Sequence, residues 1–205
     1  MADTITQEPV SFPSTDAETT IHGYIWRDEG CASPRGIIQI AHGMAEHIER
    51  YDDFARFLAS KGFIVGGYDH LAHGESVSQS TSWGELDPRN GANHLIEDVH
   101  RMRSYMLAHT PAGLPYFVFG HSMGSYIMRD YIARQGDGLA GAILCGTGYV
   151  APIVSKAGNM LSRVIAAIRG KGYESKLLDS MAAGGFNRVI DDPRTEADWI
   201  SANEE

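Results

Sequence analysis

The 205-residue sequence predicts an α/β fold: a mostly parallel sheet wrapped by helices and entered through an antiparallel hairpin. Three observations predict it. Short apolar runs recur at Gly36–Ala41 and at residues 63–67, 116–119 and 141–145, the pattern of strands buried on both faces. Between them lie segments whose apolar residues step by three and four, the helical period. A hairpin pattern precedes the first of these runs. Strictly alternating strand and helix patterns then imply parallel strands joined by crossover helices.

Each element has its own justification. Residues 10–13 and 20–26 flank the turn-forming Asp16-Ala17-Glu18, and Ile21, Gly23 and Ile25 alternate with their neighbours, as in a hairpin. Residues 48–60 carry Tyr51, Phe54, Ala55, Leu58 and Ala59 on one helical face, and Lys61-Gly62 supplies a cation and a glycine stop. A long loop rich in Ser, Gly and His occupies residues 68–90. Residues 94–109 place Leu95, Val99, Met102, Met106 and Leu107 at helical steps, and residues 123–135 form a third helix. After Gly148 the alternation stops. Residues 153–168 form an amphipathic helix with Ile153, Ala157, Met160, Leu161, Val164, Ile165 and Ile168 on one side, followed by a polar end with six acidic residues beyond Phe186. The expected organisation is a core over residues 1–148 and the start of a helical cap or lid over residues 149–205.

Composition narrows the function classes. Hydrophobic residues make up 43% and charged residues 21%, which excludes disordered, collagen-like and coiled-coil chains. The net charge of −9 argues against nucleic acid as a partner, because phosphate contacts need clustered Lys and Arg. Cys31 and Cys145 show no metal-ligand spacing, so two buried, reduced thiols of a cytosolic protein are expected. Residues 1–9 lack the basic start and apolar core of a signal peptide. The longest uncharged stretch, residues 138–155, is broken by glycines and Pro152, so no membrane span is expected. A soluble, cytoplasmic chain is the expectation.

The chemistry concentrates in two motifs. Gly120-His121-Ser122-Met123-Gly124 is a G-x-S-x-G sequence directly after an expected strand and directly before an expected helix. A nucleophile on such a tight turn is held in a strained conformation above the sheet edge, and only the small Gly120 and Gly124 let the chains approach. The turn also sets the hydroxyl of Ser122 at a helix N-terminus, where negative charge is favoured. The second motif, His42-Gly43-Met44-Ala45-Glu46-His47, follows the strand Gly36–Ala41. Acyl transfer needs two backbone N–H groups aimed at the developing oxyanion. Met123, after the nucleophile, would supply one and Met44 the other. His42 and His47 are expected to brace their loop rather than to act as bases or metal ligands.

These motifs, with Tyr51 and with Tyr68-Asp69-His70-Leu71-Ala72-His73-Gly74-Glu75-Ser76, stand in an order and spacing that resembles the α/β-hydrolase superfamily, in its monoacylglycerol lipase and lysophospholipase-like (serine aminopeptidase S33-type) branch. The resemblance covers about residues 10–150, and residues 186–204 are similar to a cap segment of bacterial members. Two positions depart from the pattern: Ala72 and Ser125 stand where glycine is common. The resemblance implies a serine ester hydrolase without metal or cofactor. Ser122 would be its nucleophile, with Met44 and Met123 as oxyanion donors and His42, Gly43, Gly120, His121 and Gly124 supporting the site.

The resemblance also implies a triad in the order Ser, acid, His. No histidine follows Ser122 in this chain. Asp191 and Asp192 stand in the right order for an acid. His70 and His73 lie on a neighbouring loop, while the elbow turns His121 away from the serine. Roughly 70 to 100 residues of the implied fold, including two strands and the acid and base, are therefore expected on a separate or further C-terminal polypeptide. The substrate expected is a lipophilic acyl ester such as a monoacylglycerol or lysophospholipid. An aminopeptidase or small-ester esterase of the same fold, and a non-catalytic binding module, remain open readings.

Overall fold

The computed structural model describes residues 4–79, 82–149, 151–170, 173 and 175–178. They belong to two compact units that meet between Thr147 and Gly148. The first unit holds one six-stranded sheet, ordered β1-β2-β4-β3-β5-β6.

The hairpin comprises β1 (Ile5–Pro13) and β2 (Thr20–Asp28), paired antiparallel over their whole length. Its turn is closed by the Asp16 carboxylate, which accepts the N–H groups of Glu18 and Thr19 at 2.9 and 2.8 Å and the Thr19 hydroxyl at 2.6 Å. An Asp that bonds the backbone two and three residues on replaces an ordinary turn bond. Strand β2 also pairs antiparallel with β4 (Phe63–Tyr68). From there the sheet is parallel through β3 (Gly36–Ala41), β5 (Tyr116–His121) and β6 (Leu139–Cys145).

Every residue of β3 is buried, which accounts for its uninterrupted apolar run. Ile38 and Ile40 face one side, with Trp26, Val65, Ala55 and Ala59. These residues pack beneath α1 (Asp52–Ser60). Ile37 and Ala41 face the other side, against α2 (Gly91–Ala108) and α3 (Met123–Gln135), with Val99, Met102, Met106, Ile127 and Tyr131. The polar residue between them, Gln39, is satisfied. Its amide donates to the Val99 carbonyl at 3.1 Å, and its oxygen accepts the Tyr116 hydroxyl at 2.6 Å. Paired in this way, a buried amide costs little.

Three local features differ from the sequence expectation. The first turn of the helix expected from residue 48 is a separate 3-10 turn, Ile48–Tyr51, because the Ile48 N–H is drawn to the Asp69 carboxylate at 2.7 Å. Helix α2 begins at Gly91 rather than 94. There the Asp87 side chain accepts the N–H groups of Arg89 and Asn90 at 3.2 and 3.0 Å and winds the loop into the helix. The cysteines are free but not buried: Cys31 is half-buried on the turn after β2, and Cys145 is exposed at the end of β6.

Strand β6 has no partner on its outer side among the described residues, and Ile143 on it is 52% exposed. In the second unit, α4 (Pro152–Arg169) takes up the amphipathic segment. Its apolar Ile153, Met160, Val164 and Ile168 are exposed.

Candidate active site

Ser122 occupies the junction of β5 and α3. It is the N-cap of α3, with φ 51° and ψ −117°, a conformation that L-residues rarely adopt and that costs on the order of 1–3 kcal/mol. The surrounding bonds hold it there. Its N–H donates to the Cys145 carbonyl at 2.9 Å. Its own carbonyl accepts both the N–H (2.9 Å) and the hydroxyl (2.6 Å) of Ser125. The two flanking glycines are required by contact distance. A Cβ on Gly120 would lie 2.5 Å from the Gly124 carbonyl oxygen, and one on Gly124 would lie 2.2 Å from that of Ala41. The G-x-S-x-G spacing is thus the spacing at which strand and helix backbones touch.

The loop after β3 faces this elbow. A Cβ on Gly43 would come within 3.3 Å of the Ser122 Cβ, so the bare glycine lets the loop lie close to the Ser122 side chain. Met44 beside it is 71% exposed. Ala45 turns the loop back with φ 58°. The N–H groups of Met44 and Met123 donate to no protein group among the described residues.

His42 is buried and braces this loop. Its Nε2 accepts the His70 N–H at 2.9 Å, which puts the ring proton on Nδ1, and Nδ1 donates to the Gly43 carbonyl at 2.7 Å. Burial, with His73 nearby, pulls its pKa down to about 4. His70 is held well below the ordinary histidine value by burial and by His42. His70 donates Nε2–H to the His42 carbonyl at 3.1 Å, and its Nδ1 has no partner. His73 bonds the Leu71 carbonyl at 3.1 Å. Both rings are thus engaged within their own buried cluster. His47 does not brace the loop: it is exposed and makes only a 4.0 Å approach to Glu49. Among the described residues, no three His, Cys, Asp or Glu side chains are grouped to hold a metal ion.

His121 turns its ring toward the loop, with Nδ1 3.0 Å from the Glu46 carboxylate. Nothing in the sequence around Glu46 marks this role: it lies 75 residues from His121, and no local pattern links them. Burial pushes its pKa up, but bonds from His121, the Gly43 N–H and Tyr51 outweigh this and hold it below the usual value. Asp191, Asp192 and residues 186–204 lie outside the described residues.

The family model described as serine aminopeptidase, S33, matches residues 32–205. The chain belongs to this family. It lies in the monoacylglycerol lipase-like branch of the α/β-hydrolases. Human monoglyceride lipase is 30% identical over 125 residues, covering 58% of this chain and 36% of that protein. The monoacylglycerol lipase of Mycolicibacterium smegmatis is 28% identical over 149 residues, covering 70% of this chain and 50% of that one. Among solved structures, a highly thermostable carboxyl esterase from Bacillus coagulans superposes with a TM-score of 0.81 at 35% identity, over 95% of this chain and 61% of that chain. The α/β-hydrolase fold is therefore established, and the chain spans half or less of these two lipases. No described helix is long and apolar enough to cross a membrane.

Proposed function

We propose that this chain carries the nucleophile and oxyanion hole of a cytoplasmic serine ester hydrolase acting on monoacylglycerols or lysophospholipids. The observation that carries the reading is Ser122, strained at φ 51° on the strand-to-helix elbow with Gly43 close to its side chain. A hydroxyl fixed at a helix N-terminus beside two unengaged N–H groups is suited to acyl transfer. The Ser122 oxygen attacks the acyl carbonyl, and its proton passes to a histidine. The Met44 and Met123 N–H groups hold the oxyanion. The histidine then protonates the departing alcohol, and water hydrolyses the acyl-enzyme.

That histidine and its orienting acid would come from a C-terminal segment outside these 205 residues. Three observations support this. No histidine follows Ser122, those before it that lie nearby are engaged elsewhere, and β6 presents an apolar outer edge. An unpaired strand edge of this kind is a template for a further strand. The lipophilic substrate class is supported by the lipase relatives and by the apolar stripe of α4.

A second reading, a peptidase that releases N-terminal residues, is favoured by the family model's description. The test is turnover of a monoacylglycerol, a short p-nitrophenyl ester and an aminoacyl p-nitroanilide by wild type and Ser122→Ala. The expected result is ester hydrolysis, monoacylglycerol foremost, abolished by the substitution. Preferential turnover of the anilide favours the peptidase, and activity indifferent to Ser122→Ala overturns both readings.

A further inference from the structure

Glu46 joins three separate parts of the site through one carboxylate. Its Oε1 accepts the Gly43 N–H at 2.5 Å, the Tyr51 hydroxyl at 3.1 Å and His121 Nδ1 at 3.0 Å. Its Oε2 pairs with Arg50 at 3.1 Å. The side chain is only 8% exposed, although the loop it belongs to is exposed at Met44, Ala45 and His47. Gly43 is the loop residue on which an added Cβ would come within 3.3 Å of the Ser122 Cβ, and His121 is the residue before Ser122 in the chain. A single oxygen therefore ties the loop carrying the Met44 N–H to the end of the strand carrying the nucleophile. It also engages the Gly43 N–H, while that of Met44 next in the loop donates to no protein group among the described residues.

We propose that Glu46 is a positioning residue for acyl transfer, clamping the oxyanion loop onto the nucleophile elbow through Gly43 and His121. The proposal rests on the reading of Ser122 and Met44 given above. Oxyanion donors act only if they already stand where charge develops, since preorganisation is what makes them effective. Without the carboxylate, the segment between Gly43 and Ile48 keeps the His42 bond to the Gly43 carbonyl and the Asp69 bond to the Ile48 N–H. It loses its hydrogen-bonded link to the elbow. Charge balance is kept by Arg50, so the clamp does not set an isolated anion beside the developing oxyanion.

An interaction realised only in the transition state affects kcat rather than KM. The experiment measures kcat and KM for p-nitrophenyl butyrate with wild type, Glu46→Ala, Glu46→Gln and Ser122→Ala, using the protein with whatever polypeptide accompanies it. Thermal midpoints serve as the folding control. Glu46→Ala is expected to lower kcat about 10- to 100-fold with KM within about threefold. Glu46→Gln, which keeps an acceptor oxygen for the Gly43 N–H, is expected to recover a large part of the loss. If Glu46→Ala does not fold, Glu46→Gln decides alone, with a loss of at least about threefold confined to kcat expected. Wild-type kcat in the Glu46 variants, or a loss confined to KM, overturns the proposal while an inactive Ser122→Ala leaves the underlying reading standing. Full activity in Ser122→Ala overturns both.

Discussion

His42 donates through Nδ1 to the carbonyl of Gly43 at 2.7 Å, and that carbonyl belongs to the peptide unit whose N–H is that of Met44. A trans peptide directs its C=O and N–H to opposite sides. A ring that holds the Gly43 carbonyl therefore sets the direction of the Met44 N–H as well. The ring's other nitrogen is committed to the His70 N–H, which fixes the tautomer that makes the first bond possible.

This buried pairing makes stability depend on pH in a defined sense. The folded-state pKa of His42, about 4, lies below the ordinary value of 6.5. Between these values the unfolded chain binds the proton and the folded one does not, so stability present above pH 6.5 is lost as pH falls toward 4. His42 alone is worth about 3 kcal/mol over that window, and His70 acts in the same direction. Asp98, whose carboxyl burial pushes up, opposes them. Urea unfolding at pH 7.5, 6 and 4.5 should show falling stability, with a shallower slope in His42→Gln. Stability that is flat or rising toward pH 4.5 would contradict the assignment.

Ser125 stands where a glycine is common in the resemblance, and its hydroxyl is bonded to the strained residue itself. Ser125→Ala removes that bond but leaves the Ser125 N–H on the same carbonyl. A loss of about 1 kcal/mol is expected, with a few-fold fall in ester turnover. Equilibrium unfolding and steady-state kinetics check both; unchanged values would mean the hydroxyl contributes nothing to holding the elbow.

Gly124→Ala sets a methyl against the backbone carbonyls of Ala41 and His42. Backbone cannot yield as a side chain tip can, so destabilisation of at least about 1–3 kcal/mol is expected, as for other overpacked sites. Ester turnover should fall with it as the elbow shifts. A variant with wild-type stability in urea would show that strand and helix do not approach as described.

If a further strand carries the acid and base, as proposed, the outer edge of β6, unpaired among the described residues, is where it would dock. Ile143→Lys should leave the chain's own stability within about 0.5 kcal/mol, as for surface substitutions, yet weaken association with the segment that completes the sheet. Native mass spectrometry of wild type should find a second polypeptide, or a longer chain, and show less of the complex in the variant. A wild-type chain that is folded, alone and active would contradict a separate source of the acid and base.

The strands and helices of the first unit were legible because their periods are local: β3 reads as continuous apolar burial, and the helices as three- and four-residue steps. The elbow was legible because Gly120 and Gly124 lie within one motif whose spacing is dictated by contact. What escaped was long-range or context-dependent. Nothing near Glu46 in sequence signals His121, and nothing near Ile48 signals that Asp69 takes its N–H and leaves a 3-10 turn. His42 and His47 stand at either end of one motif, yet only His42 has buried partners. Cys145, expected from the cysteine count and spacing to be a buried thiol, is exposed at the end of β6, an edge among the described residues.

Covalent labelling by a fluorophosphonate, read by peptide mapping of the ester-hydrolysing preparation, identifies the nucleophile directly. The expected result is one adduct, on Ser122, forming in step with loss of ester hydrolysis and absent from Ser122→Ala. An active preparation that loses its activity through an adduct elsewhere, or keeps it with Ser122 fully labelled, would contradict the assignment of Ser122 as nucleophile.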